Sequence, residues 1–345
     1  MQNTTSETSL NISVVGLGRW GPNIVRNLSR HPRAKLVGVC DIEESACARV
    51  AELLPAECRQ ETEASNIFDD PRVQAVVIVT PASTHYELVR QALLAGKHVL
   101  SEKPLALTVQ ENEQLCELAE SSGLKLMVGH TFLFNDSVLK MKEIMDSGRL
   151  GRLYYATATR THLGLVRSDV SVLWDLAPHD VAIMNYLFGM EPERVSAVGA
   201  RVLGSGNEDT AFITLIYPEK IMAQIQVSWI DSNKERLISV IGSKARVAFN
   251  DLNMFEPVRI FEKGIGVSGQ VAPDYGEFVL LQRDGDIISP RVELREPLGT
   301  MVNTFIGVVL DDAENFSDGR FALAVTKILV AAHKSIGTDG APQDI

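Results

Sequence analysis

The stretch that decides the fold is "ISVVGLGRWG", residues 12–21. A short apolar run stops at Gly16, and glycines follow at 18 and 21, at the head of a helical pattern over residues 20–30. In the G-x-G-x-x-G spacing, Gly16 permits a tight turn and Gly18 lets a pyrophosphate approach the backbone. Gly21 lets helix and strand pack closely. The helix N-terminus then faces the phosphate charge. Alone, this spacing is a weak signal, and a glycine turn without a ligand is its plainer reading. Asp41 strengthens it. This residue ends the next apolar run, "KLVGVC", 20 residues beyond Gly21, where a carboxylate holds a ribose diol. Ile42, Glu43 and Glu44 follow, with no adjoining Lys or Arg. A 2′-phosphate would meet like charge there, so the pattern predicts NAD rather than NADP.

The alternation continues outward from this unit. A helix pattern runs from Glu43 to Leu54, an apolar run covers 74–80, and a second helix pattern runs from His85 to Ala95. "HVLSE" is followed by a helix from Thr108 to Ser122, with a start close to a capping box and a stop at Gly123. "KLMVGH" (125–130) closes the series. Strands buried on both faces read as continuous hydrophobic runs, which predicts an α/β fold with a doubly wound parallel sheet over residues 11–130. After a helix at 136–148, the pattern changes to β-rich runs from about 152 to 261, interrupted by a helix at 176–188. Helical patterns return at 299–335. Alternation and turn residues predict a second α/β domain, 131–345, built on a large, open, mostly antiparallel sheet. Residues 1–10 read as a disordered leader and the Gly-rich 263–276 as a mobile loop.

Composition bounds the function. A chain of 345 residues has room for two domains and a sizeable core. Its formal net charge of -11 leaves no electrostatic footprint for nucleic acid. There is no apolar run of about 18 residues to span a membrane. "MQNTTSETSL" lacks the basic and apolar regions of a signal peptide. The cysteines at 40, 47, 58 and 116 show no C-x-x-C spacing, which fits a reduced, cytoplasmic protein.

Two further places carry chemistry. In "KHVLSEKPLAL", residues 97–107, an apolar strand stops at Glu102–Lys103–Pro104. Ligands of a doubly wound sheet bind outside the carboxyl ends of its strands. Lys103 lies at such an end with Gly16 and Asp41, and so do Thr80 and Pro81. A solvated strand-end lysine is the competing reading. In "LWDLAPHD", residues 173–180, Asp175 and His179 are four apart and share one face if the segment is helical. Pro178 is compatible with that if the helix begins near Asp175, where N–H groups have no partner to lose. A structural His–carboxylate pair is the plainer alternative. A metal site is poorly supplied, lacking a third ligand.

Together with "TPASTH" (80–85), "AGKHVLSEKPLALT" (95–108) and "WDLAPHD" (174–180), these features resemble the Gfo/Idh/MocA oxidoreductase family over nearly the whole chain. The resemblance implies a Rossmann domain followed by an α/β domain whose open sheet mediates dimers and tetramers in many members. It implies Lys103, Asp175 and His179 as the catalytic group. At the NAD cofactor it implies Gly16, Gly18, Arg19, Trp20, Gly21, Asp41, Thr80, Pro81, His85, Glu102 and Lys103. At the substrate it implies Lys103, Trp174, Asp175 and His179. Many members carry Gly-Gly runs before the D-x-x-x-H and a Gly near its middle, where this chain has "SDVSVLWDLAPHD". With "GRWGPN" and "GHTFLFN", that variant is most similar to the branch acting on nucleotide-linked sugars, the UDP-N-acetylglucosamine 3-dehydrogenases and their uronic-acid relatives. The expected reaction is NAD-dependent oxidation of a C3 hydroxyl. Arg160 and Arg167 are candidates for the diphosphate, because guanidinium suits phosphate; solvated or structural arginines are the plainer reading of both. A free sugar or inositol is the alternative substrate, and a non-catalytic dinucleotide-sensing protein is the alternative of another class.

Overall fold

The computed structural model describes residues 9–345 except 165, 168, 169, 205 and 272–277, with side chains described outside 264–283. The expected leader, but for its last two residues, lies outside the described residues, as do residues 272–276 of the expected Gly-rich loop.

The chain divides into two compact units, one of residues up to Phe134 plus Arg295–Thr326, the other of Asn135–Leu294 plus Lys327–Ile345. In the first, strands and helices alternate: β1 (Leu10–Val15), α1 (Gly21–Arg30), β2 (Ala34–Cys40), α2 (Glu44–Val50), β3 (Arg59–Glu61) and α3 (Ala64–Phe68). Then come β4 (Ala75–Ile78), α4 (Ala82–Leu94), β5 (His98–Glu102), α5 (Val109–Ser121) and β6 (Leu126–Gly129). The sheet order is β3-β2-β1-β4-β5-β6, parallel throughout. This is the doubly wound order, with its topological switch between β1 and β4. All residues of β4 and β6 are buried, as expected of strands covered on both faces. Helix α1 turns Ile24, Val25 and Leu28 inward. The capping box of α5 is formed: Glu111 N–H donates to Thr108 Oγ1 and Thr108 N–H to Glu111 Oε2, each at 3.2 Å.

The second unit opens with α6 (Asp136–Asp146) and β7 (Leu153–Leu163), then α7 (Val172–Asp175) and α8 (Ala177–Phe188). Six strands follow: β8 (Arg194–Ala200), β9 (Thr210–Ile216), β10 (Met222–Ser228), β11 (Ile230–Gly242), β12 (Arg246–Asn250) and β13 (Val258–Phe261). After them come β14 (Gly264–Val271), β15 (Phe278–Arg283) and the short β16 (Ile287–Ile288). α9 (Pro297–Leu310) belongs to the first unit, α10 (Gly319–Ile336) contributes to both, and β17 (Gln343–Asp344) ends the chain. Nine strands form one sheet, β16-β13-β12-β11-β7-β10-β9-β8-β17. Only β7 and β10 pair in parallel within it. Ala211, Ile213 and Leu215 of β9 and Ala223, Ile225 and Val227 of β10 are buried. Their neighbours Phe212 and Met222 are exposed, the alternation of a sheet with one covered face. Residues 264–271, expected as loop, instead form β14, paired antiparallel with β15. Its partner strand lies beyond the glycine-rich segment, so the pairing is invisible to a local reading.

Candidate functional site

In the first unit the expected cofactor residues gather at the carboxyl edge of the parallel sheet. Gly16 has φ +98°, and a Cβ there would lie 2.6 Å from the Val79 carbonyl oxygen and 2.9 Å from Thr80 Cγ2. A Cβ on Gly21 would lie 2.3 Å from the Gly16 oxygen. Both positions therefore require glycine. A Cβ on Gly18 would meet no protein atom within 4 Å, which suits close backbone approach by a pyrophosphate. Helix α1 has no side-chain cap and no acidic residue in its first turn, so its positive end is not countered locally. Trp20 is half-exposed at this turn and Arg19 is exposed. Asp41 Oδ2 accepts from Leu17 N–H at 2.6 Å and Oδ1 from Glu43 N–H at 3.0 Å. The carboxylate is thereby aimed by the glycine turn itself, and each oxygen keeps a lone pair for a ribose hydroxyl. These residues fit a dinucleotide.

Lys103 follows β5 on the same edge and is half-buried. Its N–H donates to Glu102 Oε2 at 3.2 Å. The Glu102 carboxyl lies over Gly129, where an added Cβ would be 3.3 Å from it. Burial pushes this carboxyl up to about 7, against the pull of Lys103. On the neighbouring strand, His130 is 3 % exposed. Ser317 Oγ donates to Val128 O at 2.7 Å, so at 3.1 Å it accepts from His130 Nδ1–H. That fixes the Nδ1–H tautomer. Burial, with the Lys103 ammonium adding, pushes His130 down to about 3. His130 stands in "GHTFLFN" but is not among the expected site residues; it lies just past β6, with Gly129 registered on Glu102.

A stability prediction arises here. The folded pKa of His130 lies below the ordinary value of 6.5, so the unfolded chain binds more protons between those limits. Its contribution is complete above about pH 6.5 and is lost as pH falls toward 3. A His130→Gln variant should show a flatter dependence of melting temperature on pH from 6.5 to 4 than the parent; identical slopes would contradict the assignment.

In the second unit, Asp175 ends α7 and His179 lies in the first turn of α8, half-buried. The two were expected on one helix face, but the segment divides at Leu176 (φ −99°, ψ −43°). Pro178 has no N–H to give to the carbonyl four residues back, so the ladder restarts there. Pro178 occupies the first turn of α8, where it costs little. Asp175 Oδ2 accepts from the Trp229 indole N–H at 3.2 Å and Oδ1 from Arg167 at 3.1 Å. Trp174 is half-buried beside it in sequence. Trp229, just past β10, is a partner of Asp175 that local reading missed.

Arg160, expected at a diphosphate, is placed differently. Its side chain is 5 % exposed and its guanidinium is bidentate on Asp180, Nε to Oδ2 at 2.7 Å and Nη2 to Oδ1 at 2.9 Å. A cation committed in this way anchors α8 to β7 rather than meeting solvent-borne phosphate. His85 is likewise interior, 1 % exposed, with both ring nitrogens on backbone carbonyls. Among the described residues, no group of three or more His, Cys, Asp or Glu could hold a metal ion, and no helix is long and apolar enough to cross a membrane.

The chain can be set beside known proteins on this geometry. Residues 10–130 match the family described as "Oxidoreductase family, NAD-binding Rossmann fold", and residues 138–248 match the GFO/IDH/MocA C-terminal domain. The scyllo-inositol 2-dehydrogenase (NAD(+)) of Bacillus subtilis is 28 % identical over 282 residues, covering 78 % of this chain and 81 % of its own. The myo-inositol 2-dehydrogenase of Thermotoga maritima is 27 % identical over 266 residues, covering 74 % and 79 %. Among solved structures, the UDP-N-acetylglucosamine 3-dehydrogenase of Acidithiobacillus ferrooxidans shares the fold with a TM-score of 0.79 at 24 % identity. It covers 96 % of this chain and 98 % of its own. A glycine turn that aims Asp41, a lysine on the same sheet edge, and family matches to both halves lead to one conclusion: the chain belongs to the Gfo/Idh/MocA oxidoreductases, with their NAD-binding Rossmann fold.

Proposed function

We propose that this oxidoreductase oxidises a secondary hydroxyl of a nucleotide-linked sugar to the ketone, at C3 of a ring of the UDP-N-acetylglucosamine kind. The observation that carries the chemistry is Lys103 at the carboxyl edge of the nucleotide-binding sheet, beside Glu102 and His130. NAD, when bound, supplies the acceptor for the carbinol hydride. His179 takes the hydroxyl proton as general base, a task suited to imidazole near neutrality. Asp175, held by Trp229 and Arg167, orients that imidazole and stabilises its charged form. Lys103 donates a hydrogen bond to the substrate oxygen as it gains negative charge.

Support for a nucleotide-linked substrate comes from the "WDLAPHD" variant and from Arg167. The latter keeps 42 % of its side chain exposed beside Asp175 and, with Arg160 committed to Asp180, is the phosphate candidate that remains of the two. A second reading, an inositol or free sugar with the same chemistry, is favoured by the two inositol dehydrogenases among the relatives. NADH formation by the purified protein on a panel of UDP-sugars, free sugars and inositols decides between them. The first reading expects the highest kcat/KM on a UDP-sugar; a preference for inositol would replace it.

Two predictions follow from the same reading. Asp41, aimed by Leu17 N–H, should make NAD bind more tightly than NADP, and Asp41→Ala should weaken NAD and narrow the gap. Calorimetry showing tighter NADP binding by the parent protein would contradict this. The open face of the nine-stranded sheet presents Tyr155, Met222, Leu237, Phe212 and Val198 to solvent, all exposed. Exposed large apolar side chains on one open sheet face suit a partner, so the protein should be a homo-oligomer, a tetramer or dimer. A concentration-independent monomer in light scattering would refute it.

A further inference from the structure

The geometry points to His85 as a positioning residue that ties the turn carrying Lys103 to the turn backing the nucleotide-binding glycines. The inference rests on the reading of Lys103 as the group that meets the reacting oxygen.

His85 lies in the first turns of α4 and is buried. Its Nδ1 is 2.6 Å from the Pro104 carbonyl oxygen and its Nε2 is 2.8 Å from the Thr80 carbonyl oxygen. One carbonyl therefore follows β5 and the other follows β4, the adjacent strand. Pro104 is the residue after Lys103. Thr80 is the residue whose methyl lies 2.9 Å from where a Gly16 Cβ would be. A continuous set of close contacts thus runs from the phosphate turn, through Val79 and Thr80, across the imidazole, to the Lys103–Pro104 turn. The ring is rigid, so the separation of the two carbonyls is set by the ring rather than by loose side-chain torsions.

The surrounding donors show why that turn needs an external tie. Pro104 has no N–H, and Lys103 N–H is taken by the adjacent Glu102 carboxyl. Further along, Asn112 Nδ2 donates to the carbonyls of Ala106 and Thr108, at 3.1 and 2.7 Å. His85 meets the carbonyl of Pro104, the residue next to the lysine. Burial lowers its pKa, and the two carbonyls oppose that; the neutral ring that burial favours donates its one N–H to one of the two carbonyls and is packed against the other. A direct contact with cofactor is a poorer reading, because both nitrogens already face this chain's own carbonyls. A histidine serving only the core would have no reason to bridge two strand ends at the edge where the cofactor residues gather.

The test uses His85→Gln, which keeps one donor, and His85→Phe, which keeps ring volume without one, each in the full-length protein. The first readout is hydrogen exchange of the peptide spanning residues 102–108, which does not depend on any catalytic assignment. It should quicken by about tenfold or more, with distant strands unchanged. The second is a split of kinetic constants: kcat should fall about tenfold or more, since a displacement near 1 Å is costly. The Kd for NAD by calorimetry should change less than about threefold. The third is the double variant. In a Lys103→Ala background, His85→Gln should change kcat by less than about twofold, because the two act as a unit. Unchanged exchange at 102–108 would overturn the tie itself. A large loss of NAD affinity with kcat retained at saturating NAD would make His85 a cofactor residue and overturn the inference. Faster exchange with normal turnover in His85→Gln, while Lys103→Ala is inactive, would reject positioning but leave the reading of Lys103 intact. Normal turnover in Lys103→Ala as well would show that the reading of Lys103 had failed instead.

Discussion

Lys103→Ala should lower kcat by a factor of about a hundred or more, the scale of losing a donor aimed at developing negative charge. Affinity for NAD should change little, because the glycine turn and Asp41, the residues proposed to hold the dinucleotide, are fastened to each other. Lys103→Arg should not restore full activity. A planar guanidinium presents a fork where a compact ammonium meets a single oxygen. His179→Ala should be comparably damaging. The Lys103→Ala/His179→Ala double variant should be scarcely worse than either single one, since groups acting together in one transition state are non-additive. A lysine that is merely solvated at a strand end would give near-normal turnover after Lys103→Ala.

Asp180→Ala should destabilise the second unit by about 3–5 kcal/mol, the cost of stranding a buried cation. Arg160 and Asp180 are nearly solvent-free and bidentate, so water cannot rescue the guanidinium once its partner is gone. Asp180 is also the residue after His179, and the pair clamps the first turn of α8 to β7. Catalysis should therefore fall with stability, even though the two charges are committed to each other. Replacing both with apolar residues of similar volume, as in Arg160→Met with Asp180→Leu, should recover most of the stability because no charge is left unpaired. Denaturant titration of the three variants measures this. An Asp180→Ala midpoint equal to that of the parent would show that the pair contributes nothing.

These outcomes turn on features of unequal visibility in the sequence. The parallel sheet and glycine turn are legible because their determinants are local. Four fully buried residues in a row make β4, and a glycine packed against Val79 admits no substitute. Asp41 is legible by its distance from the turn, and Lys103 by the abrupt end of an apolar strand. The strand β3, "RQE", has no apolar pattern and is paired only by β2 beside it. The return of residues 295–326 to the first unit depends on contacts such as Arg33 with Asp311, bidentate at 2.7 Å across most of the chain's length. Arg160 looked available for phosphate because its partner sits 20 residues away on a helix. The motif around His85 marked it as part of the cofactor region, but the sequence could not say that its ring bridges Thr80 to Pro104.

Deuterium placed at C3 of UDP-N-acetylglucosamine gives the most direct measurement of the central proposal. Incubated with the purified protein and NAD, the labelled sugar should yield NADH that carries the deuterium, together with a 3-keto sugar. NADH free of label, or no NADH from any UDP-sugar while an inositol is oxidised, would contradict it.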